Sequence, residues 1–110
     1  MLLMARTSAA ADVFHAIADA NRRGLLDAVA SGERSVGELA KMAGLSYSAV
    51  SQHLAILQQS GLVQPRREGK RRLYRLNPAP LREVHTWESR YEQFWRDRLR
   101  RLKRILGEKR

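Results

Sequence analysis

The chain has no cysteine in its 110 residues. That excludes a disulfide framework, a thiolate metal site and a cysteine redox sensor. Long apolar runs are missing as well, whereas a membrane-crossing helix needs about 20 consecutive apolar residues. Met1-Leu2-Leu3-Met4-Ala5 is too short for a secretory apolar region and follows no basic segment, so the cytoplasm is the expected compartment. There is no glycine-rich phosphate loop, no paired His–carboxylate spacing and no elbow around a serine, so an enzyme is not expected. Aromatics are scarce at 6%, but hydrophobic residues make up 44%, enough for the modest core of a single domain spanning 1–110. Acid is in short supply: 11 Asp+Glu face 21 Lys+Arg, a net charge of +10.

The excess is localised. Residues 1–65 carry five groups of each sign, whereas residues 66–75 carry six basic groups and one acid. Residues 76–95 are nearly neutral, and residues 96–110 hold eight basic groups against two acids. A neutral front half with two concentrated basic stretches suits a polyanion touched at defined places. A merely solubilising coat would intermingle acids with the bases.

Apolar periodicity predicts a first helix over residues 9–18, through Ala10, Val13, Phe14 and Ile17. Asn21 is the expected cap of a second helix through Leu25, Leu26 and Val29, which Ser31-Gly32 ends. Ser35-Val36-Gly37-Glu38 reads as a capping box, and Gly44 as the left-handed residue that stops the helix it opens. Ser46 caps a fourth helix whose inward stripe is Val50, Leu54 and Leu57. The runs 62–67 and 71–76 form a β-hairpin turning at Glu68-Gly69-Lys70. After Asn77-Pro78-Ala79-Pro80, a last helix over 80–106 carries an apolar stripe too long for so small a body to cover, so it is expected to meet a second copy of the chain.

Residues 36–60 thus pair two short helices across a tight turn, the helix-turn-helix pattern in which the second helix enters the DNA major groove. With Val50, Leu54 and Leu57 inside, the outer face is Tyr47, Ser48, Ser51, Gln52 and Ala55: slim, hydrogen-bonding and free of acid. Gln52 can pair with an adenine edge, while Ser48 and Ser51 can bond base edges or phosphate. Tyr47 suits a phosphate or a thymine methyl.

Several short motifs in order carry a resemblance. They are Asn21-Arg22-Arg23, Glu38-Leu39-Ala40, Leu45-Ser46 and Ser48-Ala49-Val50-Ser51-Gln52-His53-Leu54. Leu57, Ser60-Gly61-Leu62-Val63, Arg67, Gly69-Lys70 and Tyr74-Arg75-Leu76 follow them. Together they resemble the ArsR-type family of bacterial winged-helix transcription regulators over about residues 12–76. The resemblance implies a mainly α fold with a small β-hairpin, in the order four helices, two strands, one helix. It implies a homodimer through the terminal helices, bound to a two-fold symmetric operator, with repression as the usual outcome.

On that reading the DNA-contacting residues are Ser46, Tyr47, Ser48, Ser51, Gln52 and His53, with Arg66, Arg67, Lys70, Arg71 and Arg72 in the wing at 62–76. His53 either donates to DNA or supports its helix. Strand alternation turns some wing cations away, so two or three are expected to touch DNA, and Tyr74 reads as packing. The expected dimer residues are Val13, Phe14, Leu81, Val84, Trp87, Tyr91, Phe94, Trp95, Leu99 and Leu102. The basic run Arg96 to Arg104 is equally well a solvated face or a DNA contact.

Metal-sensing relatives carry a Cys-x-Cys pair where this chain has Ser35 and Gly37. A second family site would need more ligands than Glu83, His85 and Glu88, which share one histidine. His15 has no ligand-spaced partner. No metal and no cofactor are therefore expected. The alternatives are a non-specific nucleic-acid-binding protein and a membrane-surface module using the basic amphipathic last helix.

Overall fold

The computed structural model describes residues 12–108. Within them the chain runs α1 (Val13–Ile17), α2 (Ala20–Ala30), β1 (Arg34–Ser35), α3 (Val36–Ala43) and α4 (Tyr47–Gln59). It continues through β2 (Val63–Glu68), β3 (Arg71–Leu76), α5 (Leu81–Ser89) and α6 (Glu92–Glu108). This is the mainly helical fold with a small antiparallel sheet that the resemblance implies. Residues 9–11 of the expected first helix lie outside the described residues.

Local side-chain chemistry sets most helix boundaries. Ser35 Oγ accepts from the Glu38 N–H at 3.1 Å while Glu38 Oε1 accepts from the Ser35 N–H at 2.7 Å, the reciprocal capping box. Gly44, at φ 67°, closes α3 in the left-handed region, where a Cβ would be strained. Ser46 then caps α4 by accepting from the Ala49 N–H. One cap differs from expectation. Asp19, not Asn21, opens α2, its carboxylate accepting from the Arg22 N–H at 3.1 Å, and Asn21 falls inside the helix.

α2, α3 and α4 bury Leu25, Leu39, Leu54 and Leu57 almost completely, and Leu62 and Val63 close the core from the sheet side. Burying each such leucine contributes roughly 1.5–3 kcal/mol relative to exposure. The sheet order is β1-β3-β2. β1 is an addition to the expected hairpin, pairing Arg34 with Tyr74 and Ser35 with Leu73 and so tying the α2–α3 link to the wing. Glu68 pairs with Arg71 across a two-residue Gly69-Lys70 turn, tighter than expected. Gly69 has φ 62°, as the first central residue of a type II′ turn requires.

The long last helix is two helices. The Arg90 and Tyr91 N–H groups bond to carbonyls three residues back, Trp87 and Glu88, and this tightened turn interrupts the α-helical ladder. The apolar phase runs on through the break, which is why the sequence reads as continuous. Beyond it, every residue from Gln93 to Gly107 is exposed. The radius of gyration, 18.4 Å, exceeds the about 13 Å of a compact chain this long. Among the described residues no helix is long and apolar enough to cross a membrane.

Candidate nucleic-acid interface

α3 and α4 are held at their angle by the Gly44–Ser46 turn, where the Leu45 N–H reaches back to Ala40 O at 3.1 Å. With Val50, Leu54 and Leu57 buried, α4 presents Tyr47, Ser48, Ser51, Gln52 and Ala55 to solvent, and Tyr47 is 64% exposed. Ser46 is exposed too, though its hydroxyl serves the cap. No acidic residue lies in the first turn of α4, so its positive N-terminal end is not neutralised locally. His53 is only half-buried and turns towards the protein body, its Nδ1 lying 3.4 Å from Arg22 Nη1.

The wing separates its cations into two sets. Directly opposed residues share a sheet face, so Arg66, Glu68, Arg71 and Leu73 lie on one side and Pro65, Arg67, Arg72 and Tyr74 on the other. On the first side Arg66 and Arg71 are paired with acids, whereas Arg75, on the same face, donates to the Gln64 side-chain oxygen at 3.2 Å. Arg66 makes a two-pronged contact with Glu33, Nε and Nη2 each 2.7 Å from a carboxylate oxygen, and a longer one with Glu68. The Arg66 hydrogen bonds hold the Glu33 carboxyl below the usual carboxylate range, and Glu33 in turn raises the Arg66 guanidinium. Arg71 reaches Glu38 at 3.2 Å. The backbone N–H of Ser35 is the main cause that lowers the Glu38 carboxyl.

On the other side Arg67 stands directly opposite Arg72, both exposed, with Lys70 in the turn above. Among the described residues none of these three has an acidic partner within ion-pair distance. Arg72 lies over the Tyr74 ring at 5.8 Å. Two arginines face to face across strands repel each other, and an anion between them would remove the penalty.

The expected dimer residues fall into three groups. Val13 is already in this chain's own core. Phe14, Leu81 and Val84 are half-buried at the edge of that core. Trp87, Tyr91, Phe94, Trp95, Leu99 and Leu102 are exposed, as are Ile105 and Leu106. An aromatic ladder joins the groups: Phe14 meets Trp87 edge-on at 5.8 Å, and Trp87 meets Tyr91 at 5.6 Å. Among the described residues no cluster of three or more His, Asp or Glu is arranged to hold a metal ion.

Sequence reading missed Arg22, Glu33 and the salt-bridged state of Arg66 and Arg71. Arg22 carried a signal, because it sits on the same stripe of α2 as Leu25, Leu26 and Val29. An arginine on an apolar stripe marks a buried, partnered charge.

Two short helices meeting at a tight turn, the second exposed beside a basic hairpin, define a winged helix-turn-helix protein. Residues 19–64 match the family model described as "Bacterial regulatory protein, arsR family". Over 82 residues the chain is 40% identical to an HTH-type transcriptional regulator of Mycobacterium tuberculosis, covering 74% of each protein. It is 34% identical to the transcriptional repressor SdpR of Bacillus subtilis, covering 69% of this chain and 84% of that one. The solved ArsR-like transcriptional regulator from Rhodococcus sp. superposes with a TM-score of 0.69 at 30% identity, covering 91% of this chain and 92% of that one. The chain therefore belongs to the ArsR family of transcription regulators, and it is a DNA-binding regulator rather than an enzyme.

Proposed function

We propose that this protein is a homodimeric, cytoplasmic transcriptional repressor that binds an operator of two-fold symmetry. In this reading α4 of each protomer lies in a major groove, with Gln52, Ser48 and Ser51 towards base edges and Ser46 and Tyr47 near phosphates. Arg67, Lys70 and Arg72 meet the flanking backbone. Arg66 and Arg71, neutralised by Glu33 and Glu38, brace the wing. The observation that carries the reading is the acid-free exposed face of α4 beside the wing cations Arg67, Lys70 and Arg72, which have no acidic partner among the described residues.

The second copy is supported by the apolar face of α5 and α6. It runs on from the Phe14–Trp87–Tyr91 ladder to Leu106, and Phe94, Trp95, Leu99, Leu102, Ile105 and Leu106 along it are all exposed. Contiguous apolar surface of this extent marks an interaction site. Repression, the role named for the Bacillus relative, requires only that the bound dimer occupy the promoter.

The test is selection of bound fragments from the organism's own genomic DNA, followed by competition with random duplex. A sequence-specific regulator yields a shared motif with inverted half-sites and keeps its hold under excess random DNA. Fragments that share no motif, or binding lost in proportion to competitor, would return the protein to non-specific nucleic-acid binding. A reporter driven by the selected fragment should fall when the protein is expressed; a rise would make it an activator.

A further inference from the structure

Arg22 is 7% exposed, on the side of α2 that packs inward. A guanidinium cannot lose its charge, so its burial is tolerated only where its N–H groups find acceptors. Here the acceptors come from two other elements. Nε donates to Ala16 O at 2.7 Å and Nη2 to His15 O at 2.9 Å. Both carbonyls belong to the end of α1, a helix of five residues, where His15 O already accepts from the Ala18 N–H at 3.2 Å and the guanidinium adds a second donor. Arg23 adds bonds to Ile17 O and Ala18 O, so the two arginines together close that end. The remaining edge of Arg22, Nη1, faces His53 Nδ1 on α4 at 3.4 Å.

We infer that Arg22 is a positioning residue for DNA reading: through His53 it fixes α4 to the end of α1, and so sets the angle at which Ser48, Ser51 and Gln52 are presented. The inference rests on the proposed role of α4. It has a chemical consequence that does not. Arginine only donates, so His53 Nδ1 must be the unprotonated acceptor, and the ring of neutral His53 carries its proton on Nε2. It also has a mechanical one. α1 carries Phe14, which packs on Trp87, so a continuous set of contacts joins the aromatic ladder proposed to meet a second copy with the helix proposed to read DNA.

Two experiments test this. In the full chain without DNA, long-range proton–nitrogen correlation spectra of the imidazole report the His53 tautomer. The inference requires Nε2–H in the wild type, and loss of that single tautomer in Arg22→Lys, whose one ammonium cannot serve both α1 and His53. A wild-type Nδ1–H overturns the link, whatever the protein does with DNA.

The second is a double-mutant cycle with Arg22→Lys and His53→Leu. It is read as the affinity ratio between a genomically selected fragment and a random duplex of equal length, well below each variant's melting temperature. Each single variant should lower the ratio about tenfold, and the double variant also about tenfold. Losses that multiply to about a hundredfold make the two residues independent and overturn the inference, as does an unchanged ratio in either single variant. If no fragment is ever selected, the recognition-helix reading fails and the positioning role with it, while the Arg22–His53 link is still decided by the tautomer.

Discussion

The division of the wing charges gives the most quantitative prediction. Replacing Arg67, Lys70 and Arg72 with alanine removes the three cations at the tip and second face of the wing, which have no acidic partner among the described residues, and leaves the Arg66–Glu33 and Arg71–Glu38 pairs and the Arg75–Gln64 bond in place. Each phosphate contact contributes about 0.9 to the slope of log affinity against log salt, so three contacts contribute about 2.7. Between about 50 and 200 mM salt the wild type should therefore lose about 40-fold more affinity than the triple variant. Replacing Arg66 and Arg71 should change the slope by less than about half a unit, because each already sits against a carboxylate and releases few counterions. Fluorescence anisotropy on a selected fragment, titrated at four or more salt concentrations, reads both slopes. If the Arg66/Arg71 pair lowers the slope as much as the other three residues do, the charge division is wrong.

Further expectations concern reading, packing, pH and assembly. Gln52→Ala should cost about 1–3 kcal/mol at one or two operator positions and leave the others intact; equal weakening on every sequence removes Gln52 as a base reader. Leu54 is 1% exposed beneath α4, and Leu54→Ala should lower unfolding stability by about 2–5 kcal/mol in urea, a loss under about 1 kcal/mol being incompatible with that burial. Asp19, Glu33 and Glu38 are all held below the ordinary carboxylate range, chiefly by N–H donors from Arg22, Arg66 and Ser35 respectively. The stability they contribute is complete above their ordinary values and is lost as pH falls through the lowered ones, so the urea midpoint should drop below about pH 4. A midpoint that holds or rises there contradicts the assignment. Truncation after Ala79 removes α5 and α6, and sedimentation should then give monomers with weak DNA binding; an intact dimer places the pairing surface elsewhere.

What the sequence disclosed was mostly local. Ser35 and Glu38, Gly44, Ser46 and Gly69 act within a few residues of themselves, so their spacing alone predicts cap, stop and turn. The inward stripe of α4 was equally legible, and with it the exposed face. What escaped depends on contacts between distant segments. Arg66 meets Glu33 across 33 positions, and no pattern near residue 66 separates a bridged arginine from one facing solvent. β1 has two residues, too few to show a period. The break at Arg90–Tyr91 keeps the apolar phase and contains neither proline nor glycine, so nothing in the sequence marks it. Asp19 and Asn21 are both good caps, and the choice falls to Asp19, whose carboxylate receives the Arg22 N–H.

Methylation interference on a selected fragment tests the central claim most directly, because it reports which groove is read and how many times. Two α4 helices from a symmetric pair should give two blocks of interference at guanine N7 in the major groove. The blocks should lie on one face of the duplex with centres about 34–36 Å apart or a multiple of that. A single block, or interference confined to adenine N3 in the minor groove, would contradict it.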